Sequence, residues 1–138
     1  MMTKAKQPPG LIAEFVARYA KPLTRAERQI EHEVFGTAAG IVSYTTPAQA
    51  DALAGALGLD AGTLLLDVGA GAGWPGLYLA ERRGCRVVLT DVPGDAMRMA
   101  AARAAKRGLE GCSFAQANGG RLPFRGRSFD AAVLSDVL

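Results

Sequence analysis

The spacing of apolar residues changes near residue 60, and that change divides the chain. Before it, apolar positions recur with a helical period: Leu11, Ile12, Phe15, Val16 and Tyr19 share one face of a helix that Lys21-Pro22 interrupts. Thr24-Arg25-Ala26-Glu27 has the pattern of a capping box and opens a helix to about residue 35. A connection over 36–45 leads to a second box, Thr46-Pro47-Ala48-Gln49, and a helix to about residue 57 that Gly58 ends. Beyond residue 60, short apolar runs alternate with amphipathic stretches. Strands are predicted over 63–68, 86–90, 113–117 and 129–134, and helices over 74–83 and 94–107. Strand–helix–strand alternation implies an α/β fold: a parallel sheet with right-handed crossovers and helices on both faces. Residues 1–59 then read as an N-terminal helical lid and 60–138 as the α/β unit.

The densest chemistry lies where the first predicted strand ends, in Asp67-Val68-Gly69-Ala70-Gly71-Ala72-Gly73-Trp74-Pro75-Gly76. Gly69, Gly71 and Gly73 can take positive φ and carry no Cβ, so the chain can bend sharply and a ligand can approach its backbone. Pro75 suits the first turn of the following helix, whose free N–H groups face the loop. This is the pattern of a nucleotide-cofactor site. Asp91 ends the second strand twenty residues after Gly71, where a carboxylate can accept from both hydroxyls of a ribose; a turn or helix-cap role is the alternative. Asp67 can either orient the loop through backbone N–H bonds or hold an ammonium group of a ligand. Asn118 and Gly119, after the third strand, can meet an adenine edge with an amide oxygen and a backbone N–H, although Asn-Gly is also an ordinary turn.

Bulk properties narrow the field little. The chain has 138 residues, 49% hydrophobic, and a formal charge of +3, enough for one cored domain. The positive excess lies after residue 60, in Arg82, Arg83 and Arg86 and in Arg103, Lys106 and Arg107. These read as solvated helix faces rather than a nucleic-acid surface. No apolar run approaches the ~18 residues of a membrane span, and the first ten residues lack the apolar core of a secretion signal; a cytoplasmic location is expected. Cys85 and Cys112 lack metal-ligand spacing and are read as packing thiols. Each stands six residues before Asp91 and Asn118 respectively, so adjacent strands ending at those positions would make the thiols neighbours. His32, the single histidine, lies among Glu31 and Glu33 and reads as a surface residue or a general base.

Two cofactor classes fit the loop. Gly71-Ala72-Gly73-Trp74-Pro75-Gly76 satisfies G-x-G-x-x-G, which would suit a nicotinamide-dependent oxidoreductase using NAD(P). A pyrophosphate, however, would be disfavoured by a carboxylate at the mouth of the helix, whereas a ligand with a cationic amino-acid end would tolerate one. The ordered set Leu66-Asp67-Val68-Gly69-Ala70-Gly71-Ala72-Gly73, Thr90-Asp91-Val92-Pro93, Leu122-Pro123-Phe124 and Ser128-Phe129-Asp130 resembles class I S-adenosylmethionine-dependent methyltransferases of the small-molecule type.

That resemblance covers roughly residues 60–138. It implies a Rossmann-like doubly wound sheet, of which this chain would hold the first four strands in the order 3-2-1-4. It further implies S-adenosyl-L-methionine as cofactor and a small molecule as methyl acceptor. By the same resemblance Gly69, Gly71 and Gly73 wrap the methionine and ribose, Asp91 binds the ribose hydroxyls and Val92 packs on adenine. Asn118, where most relatives carry Asp, would meet the adenine amine. Tyr44 to Pro47 would cover the cofactor, and Ser135-Asp136 would sit at the substrate mouth. No catalytic base stands out; His32 and Asp136 are the candidates. The family's sheet has seven strands, so the chain reads as a C-terminally truncated, cofactor-binding half with an incomplete acceptor pocket. Its fourth strand would then be an apolar edge open to homodimerisation. A non-catalytic binding or assembly fragment is the remaining alternative.

Overall fold

In the computed structural model, the described residues are 21–36 and 43–135, together with Gly10, Ala13, Glu14 and Ala17. The first predicted helix, over 11–20, and Asp136 therefore fall largely or wholly outside them. Helix α1 spans Arg25–Phe35 and α2 spans Pro47–Ala56, each opened by its predicted capping box. At α2 the Thr46 hydroxyl accepts from the Gln49 N–H at 3.3 Å, while the Gln49 side chain accepts from the Thr46 N–H at 2.9 Å. Two donors that the first turn would leave unpaired are thereby satisfied.

Four strands follow: β1 (Leu64–Val68), β2 (Arg86–Asp91), β3 (Cys112–Gln116) and β4 (Ala131–Leu134). They form one parallel sheet in the order β3-β2-β1-β4. Helix α3 (Gly76–Arg83) connects β1 to β2, and α4 (Gly94–Lys106) connects β2 to β3. Leu65, Leu77, Leu79, Val87 and Leu89 are wholly buried between sheet and helices. Each such side chain contributes on the order of 1.5–3 kcal/mol through burial. Alanines at 96, 100 and 104 let α4 lie close against the sheet. Among the described residues no helix is long and apolar enough to cross a membrane.

Three expectations need correction. Helix α3 begins at Gly76 rather than Trp74; Pro75 is its N-cap, and the Trp74–Pro75 bond is cis. Residues 70–75 are spent on the bend, with Gly73 at φ +112°. β3 pairs Asp91 with Gln116, not with Asn118. The strand ends at Gln116, one residue early, and Cys112 pairs with Val87, so Cys85 and Cys112 sit two positions out of step. Both are free, and burial pushes the Cys112 thiol up to about 11, with Cys85 adding to the rise. Arg103, read as part of a solvated face, is half-buried and bonded to the glycine loop.

Candidate functional site

Because all four strands run the same way, their carboxyl ends meet at one edge of the sheet. Chain order reverses there between β1, which leads to β2 on one side, and β4 on the other. Loops at such a switch point form the crevice where α/β sheets take their ligands. The bend after β1 is held by its neighbour: the N–H groups of Gly69 and Ala70 both donate to the Thr90 carbonyl, at 2.8 and 3.0 Å. Gly69, Gly71 and Gly73 all have positive φ, at 74°, 54° and 112°, a conformation that side chains with a Cβ adopt rarely.

The Asp91 carboxylate closes the bend from the end of β2. Its Oδ2 accepts from the Gly71 N–H at 2.7 Å, and its Oδ1 accepts from the Val92 N–H at 2.7 Å. It is half-buried, and Val92 beside it is 45% exposed. An anionic acceptor and an open apolar side chain thus lie together against a Cβ-free bend. That combination fits a nucleoside: the carboxylate can accept from vicinal hydroxyls and the apolar surface can lie on a flat ring.

Asp67 lies behind this surface, not on it. It is wholly buried, its Oδ2 accepts from the Gly76 N–H at 2.8 Å, and its Oδ1 has no hydrogen-bond partner. Burial pushes the carboxyl up to about 8; the Gly76 N–H pulls it down and the Asp91 charge raises it further. Of the two roles open to Asp67, the geometry is that of loop orientation. The same contact weighs against the G-x-G-x-x-G reading. Its third glycine presents its N–H to Asp67, so the start of α3 is occupied by the chain's own carboxyl rather than open to a pyrophosphate.

Asn118 and Gly119 are brought to the same edge. Gly119 passes so close to β1 that an added Cβ would lie 2.9 Å from Val68 Cγ1. Asn118 spends its amide oxygen on the Gly120 N–H at 2.8 Å, which is the turn role weighed against adenine contact. Gln116 was not anticipated. Its Nε2 donates to the Val92 carbonyl at 2.8 Å and steadies the backbone beside Asp91. Nothing in the local sequence signals this, since it depends on the register between β2 and β3.

The segment before α2 is tied to the bend. Trp74 Nε1–H donates to the Thr45 carbonyl at 3.0 Å, and the Thr45 hydroxyl lies 2.6 Å from Ser135 Oγ at the end of β4. Tyr78 stacks on Trp74 at 5.0 Å and donates its hydroxyl to Asp51 of α2 at 3.1 Å. Tyr44 is carried to this side but is 92% exposed. It borders an open groove of about 590 Å³ along α2, lined also by Gln49, Ala52, Leu53 and Ala56. His32 is exposed on α1.

Comparison with known proteins gives the family. A model of the methyltransferase domain matches residues 65–138, which include the bend, Asp91 and Asn118. No curated protein matches the chain. Among solved structures it is similar to an S-adenosylmethionine-dependent methyltransferase from Thiobacillus denitrificans in complex with S-adenosylhomocysteine. That likeness has a TM-score of 0.60 at 24% identity and covers 85% of this chain and 45% of that one. An S-adenosylmethionine-dependent methyltransferase from Aquifex aeolicus gives a TM-score of 0.56 at 24% identity, over 65% of this chain and 52% of that one. The [4+2]-cyclase SpnF gives a TM-score of 0.58 at 34% identity, over 62% of this chain and 32% of its own. The chain thus spans about half, or less, of the length of these structures. With a family model covering more than half of its residues and a four-stranded parallel sheet in the order 3-2-1-4, the chain belongs to the methyltransferase domain family.

Proposed function

We propose that this chain binds S-adenosyl-L-methionine and carries the cofactor half of methyl transfer to a small-molecule acceptor. Residues 60–138 would form the cofactor half and 1–59 the lid. The observation that carries the reading is the Asp91 carboxylate at the glycine bend, with Val92 exposed beside it. Asp91 would accept from the ribose hydroxyls, and the backbone of Gly69, Gly71 and Gly73 would face the methionine and ribose. Val92 would pack on the adenine, with Asn118 and Gly119 at its edge and Tyr44 above the site. Asp67 would act from behind, fixing the start of α3 through Gly76.

When bound, the cofactor supplies a methyl group already made electrophilic by its sulfonium. The protein's share is then mostly placement: positioning a nucleophile in line is worth up to roughly 7–11 kcal/mol. A base is required only where the acceptor must first lose a proton. His32 and Asp136 remain the candidates for that role, His32 from an exposed position on α1. We further propose a cytoplasmic setting, supported by two free thiols, and self-association through β4, whose Leu134 is 60% exposed.

A second reading has one observation behind it. The similarity to a [4+2]-cyclase favours a reading in which this architecture serves chemistry other than methyl transfer. Thermal shift with S-adenosylhomocysteine, NAD(H) and adenosine tests the binding claim. Stabilisation by the first, well beyond the other two, is expected; a response to NAD(H) alone would overturn it. Following S-adenosylhomocysteine release in mixtures of candidate acceptors then separates transfer from binding alone.

A further inference from the structure

Helix α4 touches the glycine bend along one edge. A Cβ added at Gly73 would lie 3.6 Å from Ala100 Cβ, so this turn of the helix already abuts the loop. One turn further along is Arg103, beside the buried Ala104. Arg103 Nη1 donates to the Ala72 carbonyl at 3.1 Å, in the middle of the bend. Ala72 is buried, and a buried carbonyl without a partner is unfavourable. Glu31, buried on α1, lies within electrostatic reach of the same guanidinium and opposes the lowering of its pKa by burial and by Arg107. A half-buried cation therefore joins the bend to α4.

We propose that Arg103 is a positioning residue for the glycine bend, fixing the Ala72 carbonyl from α4 and so holding the shape of the loop. Asp91 holds the opposite side of the bend at the Gly71 N–H. The bend is thus clamped on both sides: its Gly71 N–H donates to Asp91 of β2, and its Ala72 carbonyl accepts from Arg103 of α4. Its effect on ligand affinity rests on the cofactor reading above; its effect on the bend does not.

The test compares Arg103→Met, which keeps the packing stem but loses the donor, with Arg103→Lys, which retains a donor and the charge. Amide hydrogen exchange of the ligand-free chain at Gly71 and Gly73 is read beside the strand amides of Val87 and Leu89. Arg103→Met is expected to speed exchange at the bend selectively and to weaken S-adenosylhomocysteine roughly tenfold, the scale of one charge-assisted hydrogen bond. Arg103→Lys should restore part of both. Unchanged bend exchange in Arg103→Met would overturn the proposal. So would an equal rise at Val87 and Leu89, which would mark a merely structural residue. If wild type bound no S-adenosylhomocysteine, the cofactor reading would fail, and bend exchange would still decide the role of Arg103.

Discussion

At Asp67, burial and hydrogen bonding pull the carboxyl in opposite directions, and burial wins. The consequence is a pH dependence of stability with a definite sign. With a folded pKa of about 8 against an ordinary 3.8, the native state holds a proton that the unfolded chain releases. The contribution is full below about 4 and is lost as pH rises towards and through about 8. Melting temperature is therefore expected to fall by several degrees between pH 5 and pH 8.5, and Asp67→Asn, which resembles the protonated form, should flatten that slope. An equally steep slope in the variant would contradict the assignment. Gly76 is the matching case for packing. An added Cβ would lie 2.5 Å from Asp67 Oδ2 and 3.1 Å from Leu89 Cδ2. Gly76→Ala should thus cost about 1–3 kcal/mol in chemical denaturation. The sequence placed Asp67 at the loop but left its role open, because only the position of Gly76 decides between loop and ligand.

Among the elements, those governed by local chemistry were legible and those governed by register were not. Both capping boxes opened helices where their spacing said they would, and Thr46→Ala should cost about 1 kcal/mol of stability by denaturant titration. The beginning of α3 was misread because Pro75 looked like a first-turn residue, whereas the bend consumes the chain as far as Pro75 and Asp67 fixes the start at Gly76. Arg103 was misread because charge spacing along α4 resembles a solvated face; its partner, the Ala72 carbonyl, lies 31 residues away. The two cysteines were expected in step and are offset, since β3 ends at Gln116. Trp74 illustrates a contact between the bend and the segment before α2 that no short-range pattern announces. Trp74→Phe removes the donor to Thr45 and should loosen α2 from the bend, read as faster proteolysis within 43–57.

On the scale of the whole molecule, the alternation of strands and helices was enough to give the parallel sheet, and the family resemblance gave its order. What neither could give is how the loops pack across strand ends: Gly119 against Val68, Gln116 on Val92, Ser135 on Thr45. β4 has one strand neighbour among the described residues, and Leu134 is exposed on it. Exposed edges of this kind invite pairing. Sedimentation velocity should show concentration-dependent dimers that Leu134→Lys reduces, whereas a wild-type monomer at every concentration would refute association through this edge.

The central claim is that the glycine bend and Asp91 grip one adenosyl ligand between them. Isothermal titration of S-adenosylhomocysteine into wild type and into Asp91→Ala tests it most directly. Saturable binding that weakens by at least about tenfold in the variant, the scale of a lost charge-assisted hydrogen-bond pair, is the expected result. Equal affinity in the two proteins would contradict it.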